Sequence, residues 1–238
     1  VPIARNMRLD KMLTAMGIGT RYEIRKACRD NRIQVNDAII RDPSVHIDPD
    51  QDIVKVDDEE IGFTRYVYFM LHKPAGTISS TSDSRTTVLD LIDCNVKGLY
   101  PVGRLDLDTE GLLLITNDGP LGHQLLSPKH HVEKEYIVQL KDAVTDSQLE
   151  PIRRGIRLNK EETCLPAEVR ITGEKECHII LKEGKFHEIK RMFLAIGTEV
   201  VYLKRIRMKN LILDESLKPG EYRPLTDAEL NGLKESAL

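Results

Sequence analysis

At 238 residues the chain exceeds one small module and fits a small domain joined to a larger one. Its hydrophobic share of 40% and charged share of 31% are ordinary for a globular protein, and no apolar run approaches the roughly 18 residues of a membrane span. The net charge of −3 argues weakly against a polyanionic partner, but the charge is segregated. Arg8, Lys11, Arg21, Arg25, Lys26, Arg29 and Arg32 outnumber Asp10, Glu23 and Asp30, whereas Asp48 to Glu60 is strongly acidic, so a basic face survives an acidic total. Cys28, Cys94, Cys164 and Cys177 show no CxxC spacing and follow no secretory leader, so neither a zinc cluster nor a disulfide framework is expected, and a reducing cytoplasm is.

Val1 to Asn6 precedes a possible start at Met7 and is left out of the fold reading. Leu9, Met12, Leu13 and Met16 recur at helical spacing, and Gly17 with Gly19 ends that helix. Thr20 and Glu23 form a capping box for a second helix, which buries Ile24, Ala27 and Cys28. Arg21, Arg25 and Arg29 make a stripe on another side, extended by Arg32; such a stripe is either a solvated face or a set of phosphate contacts. Ile33 to Ile40 reads as a hairpin turning at Asn36-Asp37. Two small helices followed by a hairpin resemble the RNA-binding module shared by a small-subunit ribosomal protein, tyrosyl-tRNA synthetases and several RNA-modifying enzymes. The resemblance covers Met7 to Ile61, the expected first domain (7–61), and favours phosphate contacts for the arginines. Asp57-Asp58-Glu59-Glu60, ending near Gly62, reads as a polar linker.

After Thr64 strands alternate with helices, and a second domain is expected over 65–238. Tyr66 to His72 is a strand closed by Lys73-Pro74. Lys134 to Leu140 alternates so that Lys134, Tyr136, Val138 and Leu140 share a face, and Cys177 to Lys182 is a further strand. Phe186 to Ile196 reads as a helix burying Ile189, Met192, Phe193 and Ile196, stopped by Gly197, before a strand over Thr198 to Leu203. Too few helices intervene for a regular parallel series, so the class is α+β with a mainly antiparallel sheet.

The densest polar constellation is Gly103-Arg104-Leu105-Asp106-Leu107-Asp108-Thr109-Glu110-Gly111, leading into the apolar run Leu112 to Ile115. A calcium loop fails on the count, because the ninth and twelfth positions from Asp106 fall on Leu114 and Asn117 and the closing glutamate is missing; no metal is expected. An ordinary acidic turn is the other reading. The run GRLDLDTEGLL resembles the catalytic motif of pseudouridine synthases of the RsuA/RluB type. Tyr68 to Pro74 is similar to that family's strand ending in Lys-Pro, Lys134-Glu135-Tyr136 to its Lys-x-Tyr strand, and Glu183 to Met192 to its late glycine-basic-helix motif. With the front module and Pro219 to Leu225 behind, the resemblance spans nearly the whole chain from Met7.

That resemblance implies a catalytic domain of two ferredoxin-like halves, uridine-to-pseudouridine isomerisation without a cofactor, and Asp106 as the catalytic carboxylate acting on a flipped-out nucleotide. Whether it attacks the sugar or promotes a glycal stays open. A buried carboxylate needs a nearby cation to stay ionised. On the helix from Phe186, Lys190 flanks the core face while Arg191 points nearly opposite, so Lys190 is expected to pair with Asp106. Tyr136, a core tyrosine on its own pattern, is by resemblance the residue packed against the target base. Arg104 is expected to reach the RNA or fill the gap left by the flipped nucleotide. Lys73, His130, His131, Lys134, Arg191, Lys204, Arg205 and Arg207 are expected along the RNA face. Ser127 to His131 and Lys185-Phe186-His187 resemble the branch acting on 16S rather than 23S ribosomal RNA, so the expected partner is 16S RNA or a small-subunit assembly particle, met by a monomer. The alternatives are a large-subunit enzyme and a non-catalytic ribosome-assembly factor.

Overall fold

The computed structural model describes residues 7–49, 51–63 and 66–235. Residues 1–6 and the expected start of the second domain at residue 65 lie outside the described residues. The chain forms two compact units, one of residues 1–67 with 93–98 and one of residues 68–92 with 99–238.

In the first unit β1 (Met7–Arg8) leads into α1 (Leu9–Ala15) and α2 (Arg21–Arg29), followed by β2 (Ile33–Val35), β3 (Ala38–Ile39), β4 (His46–Ile47), β5 (Val54–Val56) and β6 (Glu59–Glu60). The capping box starts α2: Thr20 N donates to Glu23 Oε2 at 2.7 Å, and Glu23 N to Thr20 Oγ1 at 3.3 Å. Leu9, Met12, Leu13, Ile24, Ala27 and Cys28 bury the helices' apolar faces against Ile33 and Val54. Asn36 and Asp37 both take positive φ, 50° and 63°, as a two-residue hairpin turn requires. The acidic run is no linker. Asp57 and Asp58 repeat that turn, at 52° and 64°, and Glu59–Glu60 pairs with β5. Charge was a poor guide there because the turn and its strand are exposed, so an acidic run can pair as a strand without burying its carboxylates.

The second unit is built on one sheet. Its elements are β7 (Tyr68–Lys73), β8 (Tyr100–Pro101), β9 (Glu110–Thr116), α3 (Gly119–Leu126), β10 (Lys134–Leu140), α4 (Asp146–Arg154), β11 (Glu168–Gly173), β12 (Glu176–Leu181), α5 (Glu188–Ala195), β13 (Val200–Met208), β14 (Leu211–Ile212), β15 (Tyr222–Pro224) and α6 (Asp227–Lys234). The order β11-β12-β10-β13-β9-β7-β15 is antiparallel throughout except where β13 meets β9. No helix among the described residues is long and apolar enough to cross a membrane.

The apolar run Leu112 to Ile115 is central strand β9, fully buried on both faces, which is why it does not alternate. β10 alternates as its sequence predicts, with Tyr136, Val138 and Leu140 buried. The helix expected from Phe186 starts only at Glu188, because His187 caps it in the left-handed region at φ 48° and Phe186 projects into solvent.

Gly111 sits at the parallel junction, opposite Arg205 of β13 and at φ 107°. A Cβ there would run into the Arg205 carbonyl oxygen and lie 2.8 Å from its backbone nitrogen. Gly111→Ala is therefore expected to destabilise the protein by on the order of 3 kcal/mol, read from urea unfolding. An unchanged midpoint would show that the junction relaxes freely.

Candidate active site

The loop 103–109 is tied down from inside. Lys73, at the end of β7, is fully buried, and its ammonium donates to the carbonyl oxygens of Pro74 at 3.0 Å, Leu107 at 3.3 Å and Thr109 at 2.8 Å. Burial pushes its pKa down to about 8, against the pull of the Asp108, Glu110 and Asp106 carboxylates. Ser79 closes a second tie, its hydroxyl accepting from Leu105 N at 3.0 Å and donating to Leu105 O at 2.9 Å. Gly76 N adds a bond to Leu107 O at 2.7 Å. With the loop backbone and Leu105 committed inward, the carboxylates of Asp106 and Asp108 are left at the surface, 27% and 70% exposed.

A lysine and a histidine from the α5 region reach them. Lys190 Nζ lies 3.4 Å from Asp106 Oδ2, and His187 Nε2 lies 3.7 Å from Asp106 Oδ1. The shorter bond of Lys190, 2.6 Å, goes to Asp108 Oδ1, so the ammonium bridges two carboxylates and is not exclusive to Asp106. That hydrogen bond holds the Asp108 carboxyl below its ordinary range, against burial. Glu110 faces elsewhere, accepting from the Tyr202 hydroxyl at 2.8 Å, so the three alternating carboxylates do not converge on one point. Asp108 and His187 are functional candidates absent from the expected set. His187 is the residue that caps α5 and Lys190 lies in its first turn, so the start of one helix delivers both. Phe186, 73% exposed, stacks on His187 with ring centroids 3.8 Å apart.

Tyr136 is 8% exposed and registers with Arg205 of β13, which itself registers with Gly111 of β9. It therefore lies two strands from β9, and among the described residues no hydrogen bond joins it to Asp106. Arg104 is exposed without an ion pair among the described residues, and His130 and His131 are exposed beyond α3.

Several residues expected on an RNA face are committed elsewhere. Lys73 is enclosed and braces carbonyls. Arg205 is 1% exposed and donates from Nε to Leu112 O at 2.7 Å. Lys134 is largely enclosed, donates to Val132 O at 3.0 Å, and is pushed down to about 8 by burial and then by Arg205. Arg191 is ion-paired with Glu162, and Arg207 is half-buried on Glu135 at 2.9 Å and Glu133 at 3.2 Å. Lys204 remains half-exposed. In the first unit Arg21, Arg25 and Arg29 are exposed without ion pairs among the described residues, whereas Arg32 is held by Asp57. A strand or helix periodicity predicts which face a basic residue takes, but not the carbonyl or carboxylate that claims its charge.

Two outcomes follow from these ties. Ser79→Ala leaves both polar groups of buried Leu105 without their partner and is expected to cost about 1–3 kcal/mol in urea unfolding. Lys134 titrates near the ordinary lysine value of 10.5 when unfolded but near 8 when folded, so between them the unfolded chain binds more protons and stability rises with pH. The unfolding free energy of the unmutated protein should therefore gain on that of Lys134→Met from about pH 8 to about pH 10. Parallel profiles would contradict the enclosed assignment.

Residues 67–195 match the family described as RNA pseudouridylate synthase, and residues 7–53 match the S4 domain. An RNA pseudouridine synthase of Bacillus subtilis, itself uncharacterised, is 41% identical over 96% of this chain and 99% of its own length. The ribosomal small subunit pseudouridine synthase A of Haemophilus influenzae is 40% identical over 95% and 99%, and that of Escherichia coli 38% over 94% and 98%. A crystal structure of a pseudouridylate synthase superposes with a TM-score of 0.68 at 38% identity, covering 95% of this chain and 99% of its own. An S4 domain followed by an α+β synthase domain, with identity near 40% over almost the full length, places the chain in the RsuA-type branch of the RNA pseudouridylate synthase family.

Proposed function

We propose that this protein isomerises one uridine of 16S ribosomal RNA to pseudouridine, with Asp106 as the reacting carboxylate and the target nucleotide flipped out of its stack. The reaction breaks the bond between ribose C1′ and base N1 and forms one between C1′ and C5. The base hydrogen on C5 is given up and N1 gains one, so no redox partner is required.

The observation that carries this reading is the position of Asp106, surface-facing on an internally braced loop, with Lys190 and His187 within 3.4 and 3.7 Å. Lys190 supplies counter-charge, and His187 a polar neighbour, without burying the carboxylate. Tyr136 provides the face against which the base packs, a contact worth roughly 1–3 kcal/mol towards the cost of unstacking. Exposed Arg104 reaches the RNA beside Asp106. Residues 7–61 act as an RNA-binding domain and 65–238 as the catalytic domain, with Arg21, Arg25 and Arg29 on phosphates, where charge matters more than identity. The 16S assignment follows the names of the relatives; a monomer working in the cytoplasm completes the reading.

Pseudouridine mapping of 16S and 23S RNA, free and in subunit precursors, should find one new site in 16S with the unmutated protein and none with Asp106→Asn, RNA binding persisting. Lys190→Met should slow single-turnover formation roughly 10²-fold. A new site in 23S would move the substrate to the large subunit. Binding without modification of either RNA would favour an assembly factor.

A further inference from the structure

Beneath the turn that carries His187 lies a pair of carboxyl groups, one buried and one partly so. Glu188, the first residue of α5, is 4% exposed. Its Oε2 accepts from Lys185 N at 2.9 Å, while its Oε1 is buried without a hydrogen-bond partner. One carboxylate oxygen each of Glu183 and Glu188 and the sulfur of Cys164 lie within 4.8 Å of one another. Glu183 is already anchored: its Oε2 takes the Lys185 ammonium at 2.6 Å and its Oε1 the backbone N–H of Leu165.

Two ionised carboxylates this close at a largely buried site repel, so such a pair keeps one proton between them. Its location follows from the neighbours. Burial first, and then the hydrogen bond with Glu183, raise Glu188 to about 7. Glu183 stays below its ordinary range because, against burial, the neighbouring Glu188 carboxyl, the Lys185 ammonium and the Leu165 amide favour its charged form. The charged and titratable groups acting on Glu188 are Glu183, Lys185, Cys164, Lys134 and Arg191. Cys164 is pushed up to about 12, chiefly by burial, so it presents a thiol and no competing charge. A proton on Glu188 satisfies the otherwise orphaned Oε1 and turns a repulsive contact into a hydrogen bond.

We propose that Glu183 and Glu188 share a single proton, and that this buried bond fixes the turn from which His187 and Lys190 reach Asp106, making Glu188 a positioning residue for the reaction. The role in catalysis rests on the function proposed above; the shared proton does not. Lysine 185 and Arg191 fasten the same turn, the first on Thr163 O at 2.9 Å and the second on Phe186 O at 3.1 Å. The carboxyl pair is the one tie of the three that depends on a proton. Removing it drives Glu188 away from Glu183 and pulls the start of α5 with it.

Glu188→Gln tests this, because a glutamine amide donates to Glu183 and accepts from Lys185 N at any pH, as protonated Glu188 does. The folded carboxyl titrates above its ordinary range, so its stabilisation is complete at low pH and is lost as pH rises through about 7. The thermal midpoint of Glu188→Gln should thus gain on that of the unmutated protein between about pH 5 and about pH 8. The ratio of their single-turnover rates should rise about tenfold in favour of the variant between about pH 6.5 and about pH 8.5. Glu188→Leu, with neither hydrogen bond, should be slow at both. A midpoint difference and a rate ratio that do not change with pH would overturn the proposal. So would a saturable rise in the midpoint on adding zinc chloride that Glu188→Gln abolishes, since a cation rather than a proton would then hold the pair. If neither protein forms pseudouridine, the functional reading fails, and the midpoints alone still decide whether the proton is shared.

Discussion

A single buried ammonium organises the candidate active site. Lys73 spends its three donors on the carbonyls of Pro74, Leu107 and Thr109, which joins the end of β7 to the stretch just after Asp106, while Ser79 holds Leu105 just before it. Backbone carbonyls satisfied from within leave the loop no reason to turn inward, and its acidic side chains are presented outward as a consequence. The desolvation of Lys73 is a continuing cost, visible in its lowered pKa, and the nearby carboxylates partly offset it. The Asp106 carboxylate thus owes its placement to strand β7 and its counter-charge to α5, two elements far apart in sequence.

Much of this was legible in the amino-acid sequence. Helical and alternating periodicity located α1, α2, β10 and the buried face of α5, because those elements each bury one side. The capping box at Thr20 and the Asn36-Asp37 turn were readable because their signals are local and chemical. Asp57 to Glu60 was not, since two aspartates in left-handed conformation look like any solvated acidic run until their strand partner is known. Lys190 was placed on the right side of α5 by helical geometry, yet its preference for Asp108 over Asp106 is a matter of tenths of an ångström that no pattern encodes. The buried lysine and arginine, Lys73 and Arg205, defeat composition-based reasoning altogether: their partners are main-chain carbonyls, and every sequence offers those everywhere.

The distribution of unpaired charge explains how a chain of net charge −3 can address RNA. Arg32, Arg191, Arg207 and Lys185 are ion-paired with carboxylates, which leaves less of their charge free for phosphates. Arg104 in the second unit, and Arg21, Arg25 and Arg29 in the first, remain exposed and without ion pairs among the described residues. Affinity would then come from a few unpaired cations and selectivity from the site itself, an arrangement in which total charge says little.

The claim that Lys73 serves the loop, and not the RNA, is open to direct measurement. Single-turnover pseudouridine formation and equilibrium RNA binding would be measured together for Lys73→Met and the unmutated protein on the same 16S RNA. A large loss of rate at saturating protein, with affinity and its salt dependence unchanged, is the result this account predicts. Weakened, less salt-sensitive binding with an unchanged rate at saturation would contradict it and return Lys73 to the RNA face.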